Sequence, residues 1–245
     1  MRSVRVSWGA APAVLALTAL SGCVTTQQRN ARTVLMNERT IASETAVRVT
    51  RENPLIAVAG VALVHATDGT ALAVQLRNTS TRPLTDLPIS VGVTTATGRI
   101  VYLNRAPNID YFDAHVPAIA AAGEITWVFT TRRQLATTAR PFARVGIAGS
   151  PPTTTATRLP RIEVVPVDAS APGRVLRVSV VNPSGIPQYG LPVYAIALRA
   201  GRLLGAGRAT IADLDGGARA TLELKLLGSS TATTVRLFAP PTIFN

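Results

Sequence analysis

Leu72–Pro88 reads LAVQLRNTSTRPLTDLP, and Leu176–Pro192 reads LRVSVVNPSGIPQYGLP. The two stretches agree in residue class at Leu72/Leu176, Val74/Val178, Leu76/Val180, Asn78/Asn182, Ser80/Ser184, Pro83/Pro187, Leu87/Leu191 and Pro88/Pro192, all at one offset of 104. One residue is then dropped, and Gly98, Arg99 and Ile100 meet Gly201, Arg202 and Leu203. So many spaced agreements at a constant offset mark an internal duplication. Each copy reads as a strand, loop, strand unit. Alternating aliphatics bury one face of a strand, the Asn and Ser end it by bonding nearby backbone, and the prolines stiffen the crossing.

Around this unit the chain after Pro54 is a series of short alternating or apolar runs divided by turn residues. Leu55 to His65, Leu72 to Leu76, Ile89 to Thr94, Ile100 to Leu103, Ile125 to Thr130 and Ala143 to Ala148 read as strands. After a Pro and Thr rich linker the plan restarts with Arg161 to Val167, Val175 to Val181, Val193 to Leu198, Arg202 to Gly205, Ala220 to Leu226 and Thr233 to Phe238. Asp68 and Gly69 carry a hairpin signal. The fold class is therefore all-β, with two tandem immunoglobulin-like β-sandwiches over residues 55–150 and 158–245, joined by a linker at 151–157. With no cysteine after Cys23, neither sandwich has a disulfide, and both are expected to hold by aliphatic packing. Trp127 alternates with strand residues and reads as a core side chain.

The N-terminus has a different pattern. Arg2 and Arg5 precede an apolar run from Ala10 to Leu20, the layout of a signal peptide over residues 1–22. That run falls short of the roughly 20 apolar residues a bilayer span needs. Leu20, Ser21, Gly22 and Cys23 follow it, and Cys23 is the chain's only cysteine. The tetrapeptide resembles the lipobox of bacterial lipoproteins. The resemblance implies diacylglyceryl transfer to the Cys23 thiol, cleavage before it, a palmitate-bearing membrane anchor, and export to the periplasmic or extracellular face of the cell envelope. Residues 23–54 read as a lipidated tether, with helical spacing of apolar residues from about 33 to 50 and a strand at Ala46 to Val49 as its rival. Asn53 and Pro54 end that segment.

Charge narrows the partners. The formal charge of +12 becomes +10 once Arg2 and Arg5 leave with the signal peptide, and Lys225 is the only lysine. A basic surface favours anionic lipid headgroups or anionic wall polymers. Nucleic acid is a poor partner, because the arginines are scattered, aromatics make up 4%, and the export signal removes the chain from the cytoplasm.

Candidate chemistry concentrates in Asn108 to His115. Asp110, Asp113 and His115 are ligand types that a curled loop could bring onto a divalent ion, but two carboxylates and one imidazole make an incomplete set. Tyr111 and Phe112 beside them read as anchors, so Asp110, Tyr111, Phe112, Asp113 and His115 form a candidate partner-binding loop. Asp213, Asp215, Gly216 and Gly217 lack the later acidic ligand of a calcium loop and read as a sandwich corner. Ser80 and Ser184 occupy equivalent turn positions, which favours structural roles for both. No phosphate-binding glycine loop or zinc spacing is present, so no cofactor, metal or catalytic set is expected.

The run from Leu72 to Leu84 and its copy from Leu176 to Leu191, each followed by a turn glycine and then by Gly123 or Gly217 before a strand, resembles the Ig-like repeats of the CARDB and FxLYD kind. Such repeats are common in bacterial surface proteins and lipoproteins, and the resemblance implies adhesion, scaffolding or accessory binding. The function expected is a lipid-anchored envelope protein with a non-catalytic binding or scaffolding role, its partner an envelope protein or an anionic wall polymer. The competing expectation is a metal-assisted or hydrolytic envelope enzyme centred on Asp110 to His115.

Overall fold

Two copies of one strand plan account for nearly all of the secondary structure. The structure is a computed structural model that describes residues 49–106, 109–148, 159–167, 174–228 and 234–242. The segments expected to be a signal peptide (1–22) and a lipobox (Leu20 to Cys23), nearly all of the candidate helix at 33–50, and the expected linker at 151–157 lie outside the described residues.

The first copy contains β1 (Ile56–Ala66), β2 (Gly69–Asn78), β3 (Leu84–Thr94), β4 (Ile100–Tyr102), α1 (Tyr111–Ala114), β5 (His115–Ile119), β6 (Glu124–Thr131) and β7 (Arg140–Val145). The second contains β8 (Glu163–Pro166), β9 (Val175–Val181), β10 (Gln188–Arg199), β11 (Arg202–Leu214), β12 (Arg219–Lys225), β13 (Leu227–Gly228) and β14 (Thr234–Phe238). All pairings are antiparallel. In the first copy β2 lies between β1 and β6, while β3 pairs with β4, β5 and β7. In the second, β9 lies between β8 and β12, while β10 pairs with β11 and β14. Each copy is thus an immunoglobulin-like sandwich of two antiparallel sheets.

The copies differ at one place. β11 is one 13-residue strand that pairs along β10 with a single register shift at Ala197/Leu198, whereas its counterpart is split into β4 and β5. The sequence offset falls from 103 at Gly98/Gly201 to 95 at Ile119/Leu214, so the first copy carries eight extra residues there. The sequence pattern predicts β11 only over Arg202 to Gly205 and no strand at His115–Ile119, where the structure has β11 to Leu214 and β5. The corrected boundaries follow from a single long edge that an insertion interrupts. Asn104 repairs the interruption. Its Oδ1 accepts from Val91 N at 3.0 Å, and its Nδ2 donates to Ile89 O at 2.8 Å and to Asp113 O at 2.9 Å. A side-chain amide thus fills the rungs that the missing strand leaves open.

Strand alternation packs each sandwich interior. Leu72, Val74, Leu76, Ile89, Val91, Trp127 and Phe129 are buried in the first, and Val178, Val180, Leu191, Val193, Ala195 and Leu224 in the second. The first core does not stop at its own sheets. Tyr194, Ile196, Ala206 and Leu227 of the second copy belong to the same buried cluster as Val64, Ala71, Ala73 and Val128. By strand parity these residues face outward from β1-β2-β6 and from β13-β11-β10, so the sandwiches stack face to face as four sheet layers. Ala71, Ala73 and Ala206 keep the facing surfaces low. At Gly228 (φ 112°) any Cβ would collide with the Leu204 carbonyl and the Val64 side chain, so glycine is required there.

Candidate functional site

The extra residues of the first copy meet the second copy at its most buried charge. Asp110 N-caps the single turn of α1, its Oδ1 accepting from Phe112 N at 3.3 Å. The same carboxylate reaches outward, and its Oδ2 accepts from Arg208 Nη2 at 2.9 Å and from Thr210 Oγ1 at 2.9 Å. Asp113 engages the other arm of the guanidinium through Arg208 Nη1. The Arg208 side chain is 6% exposed. β11 directs it there because Arg208 and Thr210 alternate with inward-facing Gly207 and Ala209 on the face that carries Ala206.

Burial lowers the Arg208 pKa and the Asp110 charge opposes that shift, so the guanidinium stays the cation of a charge cluster that spans the two sandwiches. Tyr194 pairs with Arg208 across β10 and β11. Burial pushes its phenol upward, with the Asp110 charge adding to the shift. The Tyr194 hydroxyl and Arg208 Nε are buried without a hydrogen-bond partner among the described residues.

The remaining candidates turn inward. Phe112 is buried, and its ring lies against Gly190 of β10. Tyr111 donates through its hydroxyl to Asp86 Oδ1 at 2.7 Å and stacks on His115, with ring centroids 4.1 Å apart. Burial, reinforced by the Asp86 charge and hydrogen bond, raises the Tyr111 pKa. Burial lowers that of His115, against the opposing pull of Asp86 and of the Tyr111 carbonyl at 3.3 Å. Trp127 is a core side chain, as its strand context predicts. Its Nε1 donates to the carbonyls of Phe112 and His115, both at 3.2 Å, and so pins both ends of α1 to the first sandwich.

The structure therefore brings Asp110 and Asp113 together on Arg208, while Tyr111, Phe112 and His115 pack toward β3, β10 and Trp127. As a partner-binding loop the segment is already occupied, and its partner is the second sandwich of the same chain. The geometry fastens one domain to another. Sequence reasoning missed Arg208, Thr210, Tyr194 and Asp86. The available signal was the eight-residue excess of the first copy, together with an arginine on an otherwise small and apolar strand.

The other singled-out residues are structural in place. Ser80 Oγ donates to Asn78 Oδ1 at 2.7 Å and Ser184 Oγ to Asn182 Oδ1 at 2.6 Å. Asp215 to Gly217 form the corner between β11 and β12, with Ala218 N donating to Asp215 O at 3.1 Å. His65 lies near the end of β1, opposite Thr70.

No family model matches the chain, and no curated protein matches it. Among solved structures it is similar to red sea bream transglutaminase, at 12% identity over 86% of this chain and 34% of that one, with a TM-score of 0.22. It is also similar to the C-terminal globular domain of an oligosaccharyltransferase from Pyrococcus abyssi, at 9% identity over 84% of this chain and 50% of that one, with a TM-score of 0.23. The chain spans about a third and a half of those two lengths.

Proposed function

We propose that this chain is a lipid-anchored cell-envelope protein with a non-catalytic binding or scaffolding role, its two Ig-like sandwiches displayed as one rigid body. The observation that carries this reading is the engagement of Asp110 and Asp113 by Arg208. The segment with the chemically most suggestive residues joins the two domains, and both of its carboxylates engage one buried cation. A stiff stacked pair of sandwiches suits a spacer or docking platform better than a hinged pair does. The lipobox at Leu20 to Cys23 supplies the address, and the resemblance to CARDB and FxLYD repeats belongs to the same reading.

Two experiments test it. Cells expressing Cys23→Ala should accumulate an unprocessed precursor without lipid label, and normal labelling of that variant would contradict the anchor. Crosslinking in intact cells should recover a stoichiometric envelope protein or wall polymer. A hydrolytic or metal-dependent activity abolished by Asp113→Ala in a chain that still folds would overturn the non-catalytic role.

A further inference from the structure

The charges of the stacked body are sorted between its two ends. β2 runs from the β1–β2 hairpin down to Asn78, and β3 returns to Thr94, which pairs with both Ile100 and Arg140. The β1–β2 hairpin, the 95–99 turn and the 132–139 connection therefore share one end. Asp68, in that hairpin, is held by Arg174 at 2.8 Å and Lys225 at 2.6 Å, which brings the corresponding end of the second sandwich alongside, with its 199–202 hairpin. Arg99, Arg132, Arg133, Arg140, Arg199 and Arg202 are all exposed at this end, and none is ion-paired among the described residues.

The opposite end mixes signs. It holds the pairs Arg77–Glu124 and Arg161–Glu163, and the exposed acids Asp213 and Asp215. The described chain begins midway along β3, where Val49 N donates to Ser90 Oγ at 3.1 Å.

We propose that the arginine end seats on an anionic lipid surface. This deepens the binding role proposed above and rests on it. The six guanidiniums sit on three separate connections, spread over three of the four sheet layers, which are spaced by about 10 Å, a breadth that matches a plane better than a single polymer strand. Ile100 stands beside Arg99 and is 52% exposed, an apolar group ready to enter the headgroup layer among cations. Guanidinium forks match lipid phosphates bidentately.

The test uses the full chain carrying Cys23→Ser, so that no lipid contributes, and co-sedimentation with phosphatidylglycerol/phosphatidylcholine vesicles. Binding should exceed that to pure phosphatidylcholine vesicles and fall with salt. Reversal of four charges by Arg132→Glu, Arg133→Glu, Arg199→Glu and Arg202→Glu should weaken it by about tenfold or more. The pair Arg82→Glu and Arg219→Glu, at the other end, should bind like the parent. Circular dichroism checks that each variant is folded. Equal binding by the four-fold variant, or equal binding to neutral vesicles, would overturn the proposal. Retention on soluble polyphosphate without vesicle binding would also overturn it, moving the partner from a lipid surface to a free polyanion. The anchoring reading stands or falls separately, on labelling at Cys23.

Discussion

Asn78 and Asn182 hold the same post in the two sandwiches, atom for atom. Asn78 Nδ2 donates to Arg82 O, Ile119 O and Ala120 O at 2.7, 3.4 and 3.0 Å, and Asn182 Nδ2 donates to Ile186 O, Leu214 O and Asp215 O at 2.8, 3.3 and 3.1 Å. Each Oδ1 accepts from the backbone N–H two residues on, at Ser80 and Ser184. Both side chains are 0% exposed. Each clamp ties the strand end to the corner that starts β6 or β12, which is why both copies keep Asn and Ser where turns elsewhere vary.

Asn182→Ala should cost about 2–3 kcal/mol, because it leaves several buried backbone groups without partners. Asn182→Asp should fail to rescue, since a carboxylate cannot donate to three carbonyls. Urea unfolding of the two variants checks this, and near-parental stability of the aspartate variant would contradict the clamp.

Tyr194 offers a case with the opposite sign. Its hydroxyl is buried without a hydrogen-bond partner among the described residues, while its ring fills the seam between the sandwiches. Tyr194→Phe should therefore leave stability unchanged or raise it by up to about 1 kcal/mol, whereas Tyr194→Ala should cost about 3–5 kcal/mol. Thermal denaturation of both variants is the measurement.

Acid should weaken the protein through His115. Burial holds its pKa below the ordinary 6.5. As pH falls through 6.5 the unfolded chain takes up the proton first, so stability declines until the folded-state pKa is reached and then levels off. His115→Phe keeps a ring against Tyr111 and removes the titration. It should flatten the slope of unfolding free energy against pH between about pH 7 and 5, and an unchanged slope would assign the dependence elsewhere.

The strand plan was legible because alternation and turn residues are local signals. The duplication was legible because its spacing is fixed by the clamp. β5 was not. His115–Ile119 is five residues with Pro117 in the middle and follows directly on a helical turn, so neither alternation nor length marks it. The stacking of the sandwiches left a trace that alternation reasoning passes over. Thr70 to Val74 in β2 and Leu191 to Ala197 in β10 are buried at both parities, the pattern of a sheet covered on both faces. β9, with Arg177 and Ser179 in the matching slots, has no such continuous apolar run. The role of Asp110 and Asp113 was hidden for a different reason. A carboxylate pair looks the same in sequence whether it awaits a metal or an arginine about 100 residues away.

The central claim is that Arg208, on the second sandwich, holds the first. Trp127 reports the first sandwich alone, and in a Trp8→Phe background it is the only tryptophan. Removing a buried charge partner costs about 3–5 kcal/mol. The decisive measurement is the urea transition of Trp127 fluorescence in Arg208→Ala against its parent. The account requires the Trp127 transition to move to clearly lower urea, in step with far-UV circular dichroism. A Trp127 transition that stays in place while circular dichroism splits into two steps would contradict it.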